Sequence, residues 1–241
     1  MNTTLKVLSL LLTYPTEELL KGLPELKVAL KEDAALGDRE LKLVTRLIDD
    51  VGRLDLYDAQ ERYVFLFDRT RTLSLHLFEH VHGESRDRGQ AMVDLMAMYE
   101  ADGFEIDAKE LPDFLPMFLE YLSNKPEAEA RELLGQTAHI ITVLKQRLRK
   151  RDTIYVNAFV ALETIARGKP DKKLVRELLA VPEDDPNDLE ALDRIWEEEA
   201  VTFGGNAGEG TCGTDRIQRQ MRAHQRKPGN DLPGQTDQIG G

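Results

Sequence analysis

Apolar residues recur at helical spacing along the chain as far as residue 203. Leu5, Leu8 and Leu12, with Val7 and Leu11 beside them, predict a short buried helix ahead of Pro15. Thr16 followed by Glu17 and Glu18 reads as a capped helix start, punctuated by Gly22 and Pro24. Asp38 is expected to cap a helix faced by Leu41, Val44, Ile48 and Val51, with Gly52 at or near its end. From Asp55, the residues Leu56, Gln60, Tyr63 and Phe67 share one face, with Ala59 and Leu66 adjacent. Ser85 to Ala101 carries a stripe of Met92, Leu95, Met96 and Tyr99. Ser85 is placed to cap it, Asp87 falls in its first turn, and Gly103 follows as a C′ glycine.

The remaining helices are punctuated by proline. An element opens at Asp107, and Pro112 and Pro116 put a break near Leu111 before a helix that runs to about Ser123. Pro126 starts a helix whose face is Ile140, Ile141, Leu144 and Leu148. Its basic end, Lys145, Arg147, Arg149, Lys150 and Arg151, suits a helix C-terminus. Asp152 to Ala166 is a further helix, closed by Gly168 and Pro170, and 172–180 and 188–203 complete the set. One segment resists this period: in Thr72 to His80, Leu73, Leu75 and Leu77 alternate with Ser74 and His76. No partner strand is visible, so an extended or irregularly helical connection is expected there. From Gly204 glycine, proline and polar residues dominate and no apolar period survives. The expected architecture is all-α: a single helical domain over 1–203 and a disordered tail over 204–241.

Composition narrows the function. The chain has 241 residues, 41% hydrophobic and 32% charged, with a net charge of −12. That balance argues against general phosphate-backbone binding, which needs a basic surface, and is compatible with a basic peptide or protein partner. A single cysteine, Cys212, excludes an internal disulfide and a Cys-rich metal site. The apolar run Val7 to Leu12 is far short of the roughly 20 residues that span a bilayer. A cytoplasmic protein is expected.

The stretch from Tyr63 to Tyr99 holds the candidate chemistry. It mixes Tyr63, Phe67 and Phe78 with the polar runs Asp68-Arg69-Thr70-Arg71 and Glu79-His80-Val81-His82-Gly83-Glu84-Ser85-Arg86-Asp87-Arg88. In an extended segment His80 and His82 would point to one side and, with Glu84, could hold a metal ion. A hydrogen-bonded loop explains the same residues, and no HExxH strengthens the metal reading. The glycine-flanked run Gly83 to Gly89 could attract an anion through Arg86 and Arg88, but Glu84 and Asp87 oppose it. Met92, Met96 and Met98 could line an adaptable peptide groove or simply belong to the core. No nucleophile–base order and no nucleotide loop stands out. Pattern and composition alone lead to a helical binding protein.

The central motif resembles a known family. Leu66-Phe67-Asp68-Arg69, Ser74 and the run Leu77 to Met92 are similar to the nitrate reductase molybdenum cofactor assembly chaperones, the NarJ-like family. So are Leu11-Leu12-Thr13-Tyr14-Pro15, the segment Glu110-Leu111-Pro112-Asp113 with Leu115-Pro116 and Glu120-Tyr121-Leu122, and Trp196-Glu197-Glu198-Glu199. The likeness spans about residues 1 to 203. It implies the TorD-like helical chaperone fold; with no recognisable nucleophile, nucleotide loop or strong metal spacing in the chain, no enzymatic turnover and no resident cofactor or metal are expected. It also implies a partner: the apo catalytic α subunit of a membrane-bound respiratory nitrate reductase, engaged at its N-terminal segment before cofactor insertion and membrane attachment. The partner-binding residues it suggests are Tyr63, Phe67, Asp68, Arg69, Phe78, Glu79, His80, His82, Glu84, Arg86, Asp87, Arg88, Pro112 and Asp113. Where relatives often carry histidine after the proline–aspartate pair, this chain has Phe114. A metal-binding enzyme built on His80 and His82, or a helical adaptor for another client, are the alternatives.

Overall fold

A computed structural model describes residues 1–82, 86–106, 110–183, 185 and 187, with the Arg86 side chain left aside. The expectations for a Ser85 cap, an element opening at Asp107, a helix over 188–203 and a tail from Gly204 lie outside the described residues, as does the domain boundary at 203/204. The helices are α1 (Asn2–Leu11), α2 (Glu17–Asp33), α3 (Asp38–Val51), α4 (Leu56–Tyr63), α5 (Leu77–His82) and α6 (Arg86–Ala101). They continue with α7 (Leu115–Ser123), α8 (Glu127–Gln136), α9 (Ala138–Lys150), α10 (Val156–Ile165) and α11 (Lys172–Ala180). A π-helical turn over Val64–Asp68 extends α4, and a 3₁₀ turn over Arg71–Leu73 leads towards α5. Among the described residues the architecture is all-α, and the one β-bridge is His76 to Phe114.

The core explains why α1 is apolar on almost every side. Leu5, Val7, Leu8, Leu11 and Leu12 are all buried, because α1 lies between α2 and α7. The Ser9 hydroxyl donates to the Pro116 carbonyl (2.7 Å), satisfying a polar group on that buried contact. On the other side of the core α10 packs on α3 and α9, and Phe159, Leu162 and Ile165 of α10 are buried in one cluster with Val44, Leu47, Ile48 and Val51 of α3.

Several boundaries differ from those read off the chain. Gly22 and Pro24 do not interrupt α2; the helix passes through both, held by the burial of Leu23 and Leu30 on its inner face. Gly37, not Asp38, is the N-cap of α3, and Asp38 with Glu40 occupies the first turn, where acidic charge favours the helix dipole. The segment after Pro126 is two helices. At Gly135 the carbonyl of Arg167 approaches so closely that a Cβ would sit 2.0 Å from it. Arg167 N–H donates to the Arg131 carbonyl there (2.9 Å), and the chain turns at Thr137 into α9. Asp152 adopts a left-handed conformation (φ 49°) that ends the α9 segment, so α10 starts only at Val156. On α6 the inward stripe is Ala91, Leu95 and Tyr99, with Met92 and Met98 partly buried. Met96 is 40% exposed, off the stripe assigned to it.

Alanine in a helix interior normally gains about 1 kcal/mol over glycine. At Gly135 the Arg167 backbone reverses that sign, so Gly135→Ala is expected to destabilise the fold by about 1–3 kcal/mol, as overpacking does. Equilibrium denaturation by urea measures it.

Candidate partner-binding site

The stretch singled out in the sequence is organised by one carboxylate. Asp113 is fully buried. Its Oδ2 accepts from the backbone N–H of Phe78 (2.9 Å), and its own carbonyl accepts from the N–H of Leu77 (3.0 Å). These are N–H groups that the first turn of α5 cannot pair internally, so Asp113 caps α5 from a distant part of the chain. Leu115 N–H returns a bond to the Leu75 carbonyl (2.8 Å). Proline at 112 leaves a carbonyl that Tyr99 hydroxyl reaches at 2.8 Å, tying α6 to the same corner. The alternating Thr72–His80 segment is thus a 3₁₀ turn, a bridge and a short helix, in line with the irregular connection expected.

His76 completes the corner. Its Nδ1 lies 3.3 Å from Asp113 Oδ1, and its ring packs on Phe114 with centroids 5.3 Å apart. Burial alone would push His76 down, but the hydrogen bond and charge of Asp113, helped by Glu79 and Glu110, outweigh it and hold the imidazole above its usual range. Sequence reasoning passed over His76 except as part of an alternating run. A histidine whose partner is 37 residues away has no local signature. Phe114, where the resemblance led to an expectation of histidine, serves here as a wall for His76.

The other histidines behave differently. His80 Nε2–H donates to the Ser74 carbonyl (2.8 Å), and burial, with the nearby Arg147 charge, pushes the ring down towards neutrality. His82 sets its edge on the Phe78 ring at 5.5 Å and is pushed down by burial as well. Because α5 is helical, His80 and His82 diverge around its axis, which removes the shared side that an extended segment would have provided for a metal ion. Among the described residues no three potential ligands cluster; Glu84 lies outside them.

The remaining expected site residues divide by depth. Tyr63, Phe67 and Phe78 are buried: Tyr63 hydroxyl donates to the Leu12 carbonyl (3.0 Å), and the Phe67 ring stands between Tyr63 and Tyr155. Pro112 and Asp113 are buried with them. Asp68, Glu79, Asp87 and Arg88 reach solvent to differing degrees. Arg88 pairs with Glu79 (3.1 Å), which locks α5 to α6. Desolvation, with the Glu110 charge, pushes the Asp68 carboxyl up. Arg69 lies over the Phe65 ring, 5.8 Å from its centroid.

Beside Arg69 the surface is hollow. Tyr14, Tyr57, Gln60, Glu61, Val64, Phe65 and Arg69 line a depression of about 420 Å³. Tyr57 is 80% exposed, Tyr14 45% and Val64 40%. The sequence reading missed Tyr57 and Val64; the available signal was two apolar residues set off the buried stripe of α4.

A family model, nitrate reductase delta subunit, matches residues 21–161, more than half of the chain and all of the corner around Asp113. The chain belongs to this family. It is 42% identical over 225 residues to the nitrate reductase molybdenum cofactor assembly chaperone NarJ of Escherichia coli (strain K12), covering 92% of this chain and 91% of that one. A second relative from that strain, assigned as the corresponding chaperone NarW, is 44% identical over 200 residues, 83% of each chain. In fold the chain is similar to a crystal structure assigned as a redox enzyme maturation protein from Archaeoglobus fulgidus. The TM-score is 0.50 at 19% identity, over 68% of this chain and 92% of that one.

Two outcomes test the corner. Asp113→Ala is expected to cost about 2–3 kcal/mol, the usual loss when a charge-assisted buried hydrogen bond is removed. His76, raised in the folded state, contributes stability that is full below the ordinary histidine value of 6.5 and is lost as pH rises through its elevated folded value. The melting-temperature difference between the natural chain and His76→Gln should therefore be larger at pH 6 than at pH 8.5.

Proposed function

We propose that this chain is a system-specific chaperone of a membrane-bound respiratory nitrate reductase. It binds the apo catalytic α subunit in the cytoplasm at that subunit's N-terminal segment. It keeps the subunit open to molybdenum cofactor insertion, delays its membrane attachment, and carries out no turnover itself. The observation that carries this reading is the 42% identity to the chaperone NarJ over 92% of the chain. No helix among the described residues is long and apolar enough to cross a membrane.

In this reading the expected site residues do two jobs. Phe78, His80, Pro112 and Asp113 act from beneath, holding α5 in place, while Tyr63 and Phe67 pack beneath α4 and its π-helical turn. Asp68, Arg69, Glu79, His82, Glu84, Arg86, Asp87 and Arg88 supply the polar rim that fixes the register of a docked peptide. A helical peptide burying about 400 Å² of apolar surface gains on the order of 10 kcal/mol gross at 25 cal/mol per Å². Ordering the peptide and losing its free motion consume much of that. The Kd should fall at roughly micromolar to nanomolar, which suits a chaperone that must release its client.

Co-purification with the nitrate reductase α subunit, produced in cells unable to make molybdenum cofactor, tests the assignment. Recovery of a stable complex is expected, and recovery should drop when His82→Ala and Arg86→Ala are combined while the circular dichroism melt stays cooperative. A chain that never captures the α subunit and instead turns over a substrate would be an enzyme.

A further inference from the structure

The hollow between Tyr14 and Tyr57 is exposed apolar surface that the Asp113 corner does not use. Tyr57, Glu61 and Val64 follow one another at i, i+4 and i+7, so they form a single row along α4 into the π-helical turn. The row is held firmly from below. Tyr63, on the inner side of the same helix, is pinned by its bond to the Leu12 carbonyl. It sets its ring edge-on against Tyr14 at 5.6 Å and an interplanar angle of 90°. Gln60 donates to the Pro15 carbonyl (2.9 Å), closing the gap between the Tyr14 turn and α4. The wide turn over Val64–Asp68 closes on a bond from Arg69 N–H to the Val64 carbonyl (3.0 Å). Such turns inside helices are frequent at functional sites.

Charge decides what fits. Asp58 and Glu61, on the exposed side of α4, make no ion pair among the described residues, and Glu61 lines the hollow itself. The one cation in the lining, Arg69, already rests over the Phe65 ring, which shows that this floor accepts a guanidinium on an aromatic face. The whole chain carries a net charge of −12. An occupant must therefore present an aliphatic or aromatic face to Val64, Phe65 and the tyrosines, and a positive charge to Glu61 and Asp58.

We propose that this hollow is the primary seat of a basic amphipathic helix from the client, with a Lys or Arg side chain of the peptide laid between Tyr14 and Tyr57 and its charge on Glu61. This inference rests on the chaperone reading above and moves the main peptide contact from the α5–α6 loop to the outer row of α4. Stems of long basic side chains cover apolar surface while their heads reach charge, so one residue type satisfies both halves of the site. Attraction of the charged head to Glu61 is screened by salt, while the apolar contact is not.

Calorimetric titration of the full chain with a synthetic peptide of the α subunit's N-terminal segment tests the seat, with Tyr57→Ser, Glu61→Lys and a control, Val93→Asp on the outer face of α6. Tyr57 is so exposed that its replacement should leave the melting temperature unchanged. Tyr57→Ser and Glu61→Lys are expected to weaken binding about tenfold or more, the size of a hot-spot loss. Glu61→Lys should also flatten the salt dependence, and Val93→Asp should bind as the natural chain does. Natural-strength binding by both α4 variants overturns the seat while leaving the chaperone reading intact. Failure of the unsubstituted chain to bind either the peptide or the intact α subunit overturns both. A dimer in sedimentation that Tyr57→Ser dissociates assigns the row to a second copy of the chain, and also overturns the proposal.

Discussion

A buried carboxylate on one segment supplies the helix cap of another. Asp113 satisfies the first N–H groups of α5, which has only six residues and no partner of its own for them. A helix this short does not persist in isolation, because forming the first turn costs more than so few bonds return. Its existence depends on the Asp113 contact, and with it the positions of Phe78, Glu79, His80 and His82. The Pro112 carbonyl holding the Tyr99 hydroxyl ties the same corner to α6, and the Glu79–Arg88 pair adds a second tie. The surface offered by this part of the molecule is therefore set by a contact between residues 35 positions apart in the chain.

Around that corner the histidines are placed in opposite electrostatic situations. His76 faces a carboxylate and is held above its usual range, whereas His80, His82 and His139 are pushed down by burial. His80 spends its one donor on the Ser74 carbonyl, which sets its tautomer and turns it away from solvent chemistry. Arg147, buried under the same segment, donates to the carbonyls of Thr72 and Leu178 (2.8 and 2.7 Å) and fastens the 3₁₀ turn and α11 to α9. A dense polar motif thus serves mostly as an internal scaffold. Beside it the exposed side chains of Tyr14, Tyr57 and Val64 form a separate surface.

The helices themselves were legible in the chain because helical periodicity and capping act over a few residues. The buried faces of α1 and α3, the Thr16 cap, the start of α4 beside Asp55 and the left-handed Gly103 all follow from neighbours within one or two turns. The irregular character of 72–80 was legible too, since alternating apolar residues without a partner strand do not make a sheet. Family membership lay in the motif running from Leu66 to Met92, in a span that the family model also matches.

Other features required the tertiary structure, each because its cause sits elsewhere in the sequence. The division of α8 from α9 comes from the Arg167 backbone pressing on Gly135, and the continuity of α2 through Pro24 comes from burial of Leu23 and Leu30. His76 is defined by Asp113, and His80 and His82 lost their common side once Asp113 had nucleated a helix there. The hollow beside Tyr57 exists only because the Tyr14 turn folds back onto α4. Local pattern determined which segments are helices and most of the residues they bury; the long-range contacts decided where short helices start, which polar groups are spent inside, and which apolar ones stay exposed.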